Sequence, residues 1–418
     1  MQNNNEVLLQ VEHLCQYFKM EGGELKAVDD VNFEIHKGEV FGLVGESGCG
    51  KTTTGRSIIK LYNITSGDIR FKGIRIGAGR RSYDDAIKNA RADYKAKLAE
   101  LTKSAASGEI SAQEKAEKAA ALKKEMEDTI AANRKAIKEA EFDQKNCDKV
   151  YIEEQVAKVK EKYTALLASA SGEEKAKLEA EYKTELRKAK NTKLVTQIQM
   201  IFQDPIASLN PRMTVREIIA EGLIIQGERD QKVIDEKVFE MLELVGLVRE
   251  HAGRYPHEFS GGQRQRIGVA RSIIMNPSLI IADEPVSALD VSIQAQVINL
   301  LNDLRHRFGL TILFIAHDLS VVKYFSDRIG VMYYGKMVEL ADSDELFAHP
   351  LHPYTKSLLS AIPLPDPIYE KQRKRIVYNP LTEHDYSVDK PTFREVAPGH
   401  FVQCNDAEFE KYKAMVED

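Results

Sequence analysis

The fold is decided by the stretch Gly45-Glu46-Ser47-Gly48-Cys49-Gly50-Lys51-Thr52, which fits the phosphate-loop pattern G-x-x-x-x-G-K-[ST]. An apolar run, Val40 to Val44, precedes it and predicts a buried parallel strand, and Thr53 to Leu61 predict a helix after it. A glycine turn ahead of an unrelated helix is the alternative. The lysine, the threonine and the flanking strand and helix argue against it, so the stretch predicts a nucleotide site.

The residue types in this loop suit phosphate binding. Glycines let consecutive backbone N–H groups turn toward the β-phosphate at a helix N-terminus, Lys51 can bridge β- and γ-oxygens, and Thr52 can offer its hydroxyl to Mg²⁺. Because a helix N-terminus favours thiolate, we expect Cys49 to be alkylated unless nucleotide protects it. The residues expected to contact nucleotide are Gly45, Ser47, Gly48, Cys49, Gly50, Lys51, Thr52 and Thr53.

Composition limits the classes of protein. The chain has 418 residues, of which 43% are hydrophobic and 29% charged, and a net charge of −5 gives no global attraction to nucleic acid. No apolar run approaches the roughly 18 residues of a spanning helix, and the polar start, Met1 to Glu6, lacks the features of a signal peptide. The four cysteines are widely spaced, which argues against disulfides and zinc. We expect a soluble protein of a reducing cytosol.

Polar side chains follow three apolar runs in the second half of the chain. Gln203 ends one predicted strand, Asp283 and Glu284 end another, and His317 ends a third. Open α/β sheets bind ligands at the carboxyl ends of their strands. A plain strand terminus or a structural histidine is the alternative for these residues. With a phosphate loop present, we favour Asp283 as a Mg²⁺ ligand through water, Glu284 as the group that polarises the attacking water, and His317 as functional.

A second anion-binding element is predicted at Ser260-Gly261-Gly262-Gln263, where glycines and a hydroxyl again stand at a helix start.

Between the phosphate loop and Gln203, residues from about 77 to 193 are rich in Ala, Lys and Glu and contain no proline. Apolar residues recur at threes and fours, which predicts helices with a narrow seam, as in a coiled coil. Ser107-Gly108, Asn146-Cys147 and Ser171-Gly172 interrupt the pattern, so we expect segmented helices in a hairpin or a small bundle. A continuous 35-residue arm would reach about 50 Å. We expect an appendage that a short loop can replace, with a docking role or none.

Taken together, the motifs resemble those of the nucleotide-binding subunits of ABC transporters, over nearly the whole chain outside the helical segment. They occur in that family's order: the phosphate loop, the Q-loop Gln203, the signature Ser260 to Gln263, the Walker B strand Ile280 to Glu284, the D-loop Ser287 to Asp290 and the switch His317. Phe259 stands where the family often has leucine, a mild departure.

Within that superfamily, the chain resembles the ATPases of oligopeptide/dipeptide importers, and the second ATPase of such a permease most closely. The resemblance rests on Gln203 to Arg212, His352-Pro353-Tyr354-Thr355, Ala361 to Pro367 and Glu395 to Val402. Many such proteins carry a cysteine cluster near the last segment that can hold an iron–sulfur centre. Here only Cys404 remains, so we expect no cluster.

The resemblance implies an α/β fold: an ABC-type P-loop core with an antiparallel β subdomain and a helical signature subdomain, plus the helical insertion. The implied boundaries are 1–76 for the first part of the core, 77–196 for the insertion, 197–345 for the rest of the core and 346–418 for an importer-type extension. Phe18, rather than Tyr17, is expected to stack on adenine.

The resemblance also implies a head-to-tail dimer that holds ATP–Mg²⁺ between its subunits. Lys51, Thr52 and Gln203 of one subunit bind ATP and metal, and Ser260, Gly261, Gly262, Gln263 and Asp290 of the other complete the site. The implied partners are a second ATPase, two membrane-spanning permease subunits and, indirectly, an extracellular peptide-binding protein. The implied place is the cytoplasmic face of the plasma membrane. An SMC-type or DNA-repair ATPase is the alternative, but its coiled coil would be far longer and would follow Gln203.

Overall fold

The computed structural model describes residues 6–108, 110–362 and 375–417. The chain begins with six elements: β1 (Val7–Met20), β2 (Gly23–His36), β3 (Val40–Val44), α1 (Lys51–Ile58), β4 (Ser66–Phe71) and β5 (Ile74–Ala78). Four of these strands form an antiparallel sheet in the order β2-β1-β4-β5. Strand β3 belongs to a second sheet, and the phosphate loop connects its end to the start of α1.

The helical insertion consists of α2 (Arg81–Ala106), α3 (Ala112–Ser169) and α4 (Gly172–Asn191). Helix α3 is continuous over 58 residues, or about 87 Å. Helix α2 packs along its first half, and α4 packs along its second half, where Tyr163 and Tyr182 lie 5.4 Å apart. Because α3 is unbroken, the two hairpins point in opposite directions. The insertion is therefore a pair of back-to-back hairpins that share one long helix.

The expected break at Asn146-Cys147 is wrong. The Asn146 amide donates to the carbonyl of Phe142 one turn earlier, so its polar side chain is satisfied within α3, and Cys147 is buried against the body. The other two breaks are present, and there Gly108 and Gly172 adopt φ of 78° and 62°, which a helix does not allow.

The central turns of α3 lie on the antiparallel sheet. Gln144 donates to the carbonyl of Ala78, where the chain leaves the sheet, and Asp148 accepts from the N–H of Leu194, where it returns, over 2.8 Å. These two side chains stand one turn apart on α3, so both ends of the insertion are held by the same part of the helix. Cys147 and Tyr151 are buried in the hydrophobic cluster between the sheets. The insertion is thus joined to the core and is not a simple appendage.

The remaining elements follow in chain order: β6 (Ile198–Ile201), α5 (Pro205–Ser208), α6 (Val215–Ile225), α7 (Gln231–Leu244), α8 (Gly261–Ile273), β7 (Leu279–Asp283), α9 (Val291–Phe308), β8 (Thr311–Ala316), α10 (Leu319–Phe325), β9 (Arg328–Tyr333), β10 (Lys336–Asp342), α11 (Ser343–Ala348), α12 (Pro353–Ser360), α13 (Pro380–Glu383), β11 (Thr392–Ala397), β12 (His400–Cys404) and α14 (Asp406–Glu417). Short 3-10 turns occur at Val195–Gln197, Arg249–Gly253 and Pro256–Glu258.

The second sheet has eight strands in the order β11-β12-β10-β9-β3-β8-β7-β6. The five from β6 to β9 in this order are parallel, and β10, β12 and β11 add antiparallel pairs at the other end. Every residue of β3, β7 and β8 is buried, as expected for parallel strands covered on both faces. One hydrophobic cluster lies between this sheet and α6 to α9, and another lies between the two sheets.

The expected fold class is confirmed: an α/β core with an antiparallel β subdomain, a helical subdomain and a helical insertion. The helical subdomain includes α8, whose first residues belong to the signature. Among the described residues, no helix is both long enough and apolar enough to cross a membrane. The importer-like segment Ala361 to Pro367 lies, from Pro363 onward, outside the described residues.

Candidate functional site

The phosphate loop runs from the end of β3 to the start of α1, and its glycines are required by close contacts. A Cβ at Gly45 would lie 2.2 Å from the carbonyl oxygen of Met332, and one at Gly50 would lie 2.3 Å from that of Ala27. Both glycines also have positive φ, of 150° and 107°. The loop is therefore seated directly on the backbones of β9 and β2, with no space for side chains at these positions.

The lysine and threonine of the loop are held by specific partners. The buried Lys51 ammonium donates to the carbonyls of Gly45 (2.7 Å) and Glu46 (2.9 Å), so the side chain folds back over the loop. The Thr52 hydroxyl donates to Asp283 Oδ1 over 2.8 Å, which joins the loop to the end of β7. The arrangement fixes one positive charge and one hydroxyl at the mouth of the loop.

These residues line a cavity of about 350 Å³ together with the polar side chains that end β6, β7 and β8. Because β3, β8, β7 and β6 are neighbours in the sheet, their carboxyl ends meet at one edge. The lining residues are Ser47, Gly48, Gly50, Lys51, Thr52, Thr53, Gln203, Glu284 and His317. Six of the eight loop residues predicted to contact nucleotide, all but Gly45 and Cys49, thus lie around one space with Gln203, Glu284 and His317.

Glu284 is held in this cavity by both its backbone and its side chain. Its φ is 46°, in the left-handed region that non-glycine residues seldom adopt, and its N–H donates to the carbonyl of Ile315 over 2.9 Å. One carboxylate oxygen, Oε2, lies 2.9 Å from the Gln203 amide nitrogen that donates to it and 3.3 Å from Nδ1 of His317. The side chain is only 12% exposed. A carboxylate held by two neighbours at a cavity wall is suited to orient water and accept its proton.

Asp283 provides the test of whether a metal ion fits here. The residue is fully buried, and burial raises the pKa of its carboxyl group against the lowering effect of the Thr52 hydrogen bond. Its Oδ1 accepts from Thr52, but Oδ2 has no hydrogen-bond partner in the described part of the chain. A buried carboxylate oxygen without a partner is costly unless a cation compensates it, and Mg²⁺ binds through one or two carboxylates with retained waters. Thr52 and Asp283 therefore fit Mg²⁺.

The signature residues lie elsewhere. Ser260 caps α8 in a reciprocal capping box: its N–H donates to Gln263 Oε1 (3.0 Å), and its hydroxyl accepts from the Gln263 N–H (3.4 Å). Together with Gly261, Gly262 and Asp290 they line a second cavity of about 570 Å³, which shares no described lining residue with the first. The phosphate loop and the signature residues of one chain thus line two separate cavities.

Phe18 and Tyr17 have different environments. The ring of Phe18 is half-buried and meets Tyr62 edge-on at 5.3 Å. The Tyr17 hydroxyl donates to Asp29, and its ring contacts the cations of Lys26 and Arg81. Tyr17 is thus engaged with its own partners. Phe18 does not line the cavity of the phosphate loop, so its stacking on adenine stays a prediction.

The environment of Cys49 opposes the expected alkylation, which stays a prediction. The side chain is buried among apolar residues between the sheets, and burial raises the pKa of the thiol despite Lys51, whose Nζ lies 3.7 Å from the sulfur. Desolvation of the thiolate outweighs the helix N-terminus and the nearby cation. The sequence pattern could not show that this side chain points inward.

One residue that touches the loop was missed by the sequence reasoning, which used it only as a mark of family likeness. The phenol oxygen of Tyr354 accepts a hydrogen bond from the N–H of Glu46 over 3.1 Å. The two residues are 308 positions apart, and no local pattern indicates that they meet.

Two models of known protein families match parts of the chain. The model described as ABC transporter matches residues 28–153 and 163–287, and the model described as the oligopeptide/dipeptide transporter C-terminal region matches residues 338–388. The chain is 47% identical to the oligopeptide transport ATP-binding protein OppF of Bacillus subtilis (strain 168) over 408 residues, which cover 97% of this chain and 99% of that protein.

Two further relatives are similar over most of their length. OppF of Streptococcus mutans is 42% identical over 418 residues, with 99% of each chain covered. The dipeptide transport ATP-binding protein DppF of Lactococcus lactis subsp. cremoris is 42% identical over 394 residues, which cover 94% of this chain and 91% of that protein.

Proposed function

The chain belongs to the ABC transporter family, among the ATP-binding proteins of oligopeptide and dipeptide transport, and from this we propose that it hydrolyses ATP to drive the import of short peptides. The observation that carries the proposal is the single cavity in which Lys51, Thr52, Gln203, Glu284 and His317 face one another, with Asp283 bonded to Thr52 at its base.

Each of these residues has a task in ATP hydrolysis. Lys51 neutralises the β- and γ-phosphates, for which its ammonium turns from the carbonyls of Gly45 and Glu46 toward the nucleotide. Thr52 and Asp283 would hold Mg²⁺, with Gln203 as a further candidate ligand, and the bound ion would neutralise charge on the phosphate oxygens. Phe18 supports the adenine ring.

Glu284 orients the attacking water and takes its proton. Gln203 and His317 keep the carboxylate at the cavity wall, since both lie within 3.3 Å of the same oxygen. We infer that His317 also contacts the γ-phosphate when ATP is bound. The rate of hydrolysis therefore depends on three side chains that end three neighbouring strands.

We infer that a partner subunit completes the cavity lined by the signature residues. Ser260, Gly261, Gly262, Gln263 and Asp290 surround a cavity of their own, so they serve a nucleotide held by another ATPase in a head-to-tail dimer. We infer that this partner is a second, different ATPase and that the pair sits on two membrane-spanning permease subunits at the cytoplasmic face of the membrane. An extracellular peptide-binding protein would supply the peptide. Closure of the dimer on ATP and reopening after hydrolysis would drive transport.

The experiment that tests the assignment is the substitution Glu284→Gln in the full-length chain. The amide keeps the shape of the side chain but cannot accept a proton, so ATP binding should persist while hydrolysis falls by about 10²-fold or more. Binding is followed by fluorescence titration with mant-ATP, and turnover by phosphate release. Equal loss of ATP binding and hydrolysis would show that Glu284 is not the base. Salt-sensitive stimulation of hydrolysis by DNA would instead favour a DNA-dependent ATPase.

A further inference from the structure

One hydrogen bond joins the C-terminal part of the chain to the phosphate loop. The N–H of Glu46, the second residue of the loop, donates to the phenol oxygen of Tyr354 in α12 over 3.1 Å. Tyr354 lies within the segment that matches the oligopeptide/dipeptide C-terminal model, whereas the loop belongs to the ABC core. The contact therefore connects the importer-type extension directly with the nucleotide site.

Both polar backbone groups of Glu46 are held. Its carbonyl accepts from Lys51 Nζ (2.9 Å) and from the N–H of Cys49 (3.3 Å), while its N–H donates to Tyr354. In the proposed mechanism Lys51 turns to the phosphates, so its bond to Glu46 is not available to the ATP-bound state. The bond to Tyr354 is made by the N–H of Glu46 and does not involve Lys51, so the turn of Lys51 leaves it intact. It can hold the loop in both states.

Tyr354 is itself rigidly placed. Its side chain is 2% exposed, and its ring lies 4.3 Å from that of Tyr333 and 5.6 Å from that of Tyr378. Its backbone N–H donates to Nδ1 of His352, the residue that caps α12. A phenol fixed at both its ring and its backbone presents its oxygen at a defined point, which suits it to position another group.

The start of α12 is anchored in turn by a buried carboxylate. Glu339 on β10 accepts from the N–H groups of Leu351 (2.7 Å) and His352 (3.0 Å). Nε2 of His400 on β12 lies 2.8 Å from the same carboxylate. The place of Tyr354 is therefore set by the antiparallel end of the large sheet and does not depend on α12 alone.

We propose that Tyr354 is a positioning residue for ATP binding: its hydroxyl holds the Glu46 peptide, and with it the phosphate loop, in the conformation that accepts the nucleotide phosphates. The inference rests on the proposed function and deepens it. Without the hydroxyl, the Glu46 N–H loses its partner, and a smaller fraction of chains keeps the loop ready. Apparent affinity falls in proportion to that fraction. Once ATP is bound, the phosphates hold the loop, so turnover at saturation changes little.

The test compares Tyr354→Phe with Tyr378→Phe in the full-length chain. Both keep the aromatic ring, and in the described part of the chain the Tyr378 hydroxyl makes no hydrogen bond with the phosphate loop, so Tyr378→Phe is a matched control. The dissociation constant for mant-ATP and the KM for ATP hydrolysis should rise together by about three- to tenfold in Tyr354→Phe, with kcat within about twofold. The control should leave all three values within about twofold of the wild-type chain. Thermal melting checks that both variants are folded.

The outcomes separate the inference from its premise. If the wild-type chain binds ATP and Tyr354→Phe binds it equally well, the positioning role is overturned. Equal losses of affinity in the two variants would assign the effect to packing of the aromatic cluster, which also overturns it. If the wild-type chain itself neither binds nor hydrolyses ATP, the proposed function fails, and the inference falls with it.

Discussion

Two regions lie outside the motifs of the ATP site, the helical insertion and the C-terminal extension, and they join the core in different ways. The insertion is mostly two exposed hairpins, attached through the central turns of α3 to the antiparallel sheet, with Arg81 paired to Glu24 at its start. The extension is a compact set of buried rings and carboxylates that reaches the phosphate loop through Tyr354.

The difference shows that the length of a region does not indicate how directly it contacts the nucleotide site. The insertion is the longer region, but its described polar contacts with the core go mainly to the antiparallel sheet and its ends, and one goes to Lys60 after α1. The extension reaches a loop residue of the nucleotide site through one side chain. We therefore expect changes in the hairpin arms to be local, changes at the centre of α3 to affect folding, and changes in the extension to affect both stability and nucleotide affinity.

The largest expected effect is at the centre of α3. Tyr151→Ala removes a buried ring from the cluster between the two sheets and should lower the free energy of unfolding by about 3 kcal/mol or more. Tyr163→Ala is the control, because Tyr163 is equally buried but packs against Tyr182 within a hairpin arm. It should loosen that arm and leave ATP binding unchanged. Urea unfolding and mant-ATP titration measure the two effects.

If the two variants destabilise the nucleotide-binding core equally, the distinction between the root and the arms of the insertion is wrong. The buried central turns of α3 also argue against replacing the whole insertion by a short loop. Such a deletion removes Cys147 and Tyr151 from the core, so tolerated deletions should be those that shorten the arms and spare the central turns of α3.

The next effect concerns pH and the extension. Burial, with a smaller contribution from the nearby charges of His384 and Lys356, lowers the pKa of His352 from 6.5 to about 3. The unfolded chain takes up a proton at this residue below about pH 6.5, whereas the folded chain does not until about pH 3. The contribution of His352 to the free energy of unfolding is therefore fully present above about pH 6.5. It is lost by about 1.4 kcal/mol per pH unit as the pH drops toward 3.

His352→Asn tests this dependence. Asparagine can still accept the N–H of Tyr354 as an N-cap but does not titrate, so the variant should lose less stability between pH 6.5 and pH 5.5 than the wild-type chain. Urea unfolding at the two pH values gives the slopes. A slope as steep in the variant as in the wild-type chain would mean that other groups cause the acid sensitivity.

The smallest effect is at the junction that holds the insertion. Asp148→Ala leaves the buried N–H of Leu194 without its acceptor and should cost about 1 kcal/mol. Asp148→Asn keeps an acceptor oxygen and should cost less. Hydrogen exchange at the Leu194 amide reports the contact directly. Faster exchange in Asp148→Ala than in Asp148→Asn is expected, and equal exchange would contradict the role of this hydrogen bond.

The sequence by itself determined the local parts of the site. Glycine spacing, Lys51 and Thr52 identified the phosphate loop, and Asp283, Glu284 and His317 were found because each follows an apolar run. These signals are local, since a strand, a turn and a helix start depend mainly on neighbouring residues. Parallel strands covered on both faces are almost wholly apolar, so the positions of the buried core strands along the chain could also be predicted.

Only the tertiary structure decided how distant segments meet. It showed that α3 is continuous through Asn146-Cys147, that the Cys49 thiol points into the core, that the signature lies in a cavity apart from the phosphate loop, and that Tyr354 bonds to Glu46. Helix periodicity cannot tell whether a polar pair ends a helix or is satisfied within it. A contact across 308 residues depends on the packing of the whole sheet, which no short stretch of sequence encodes.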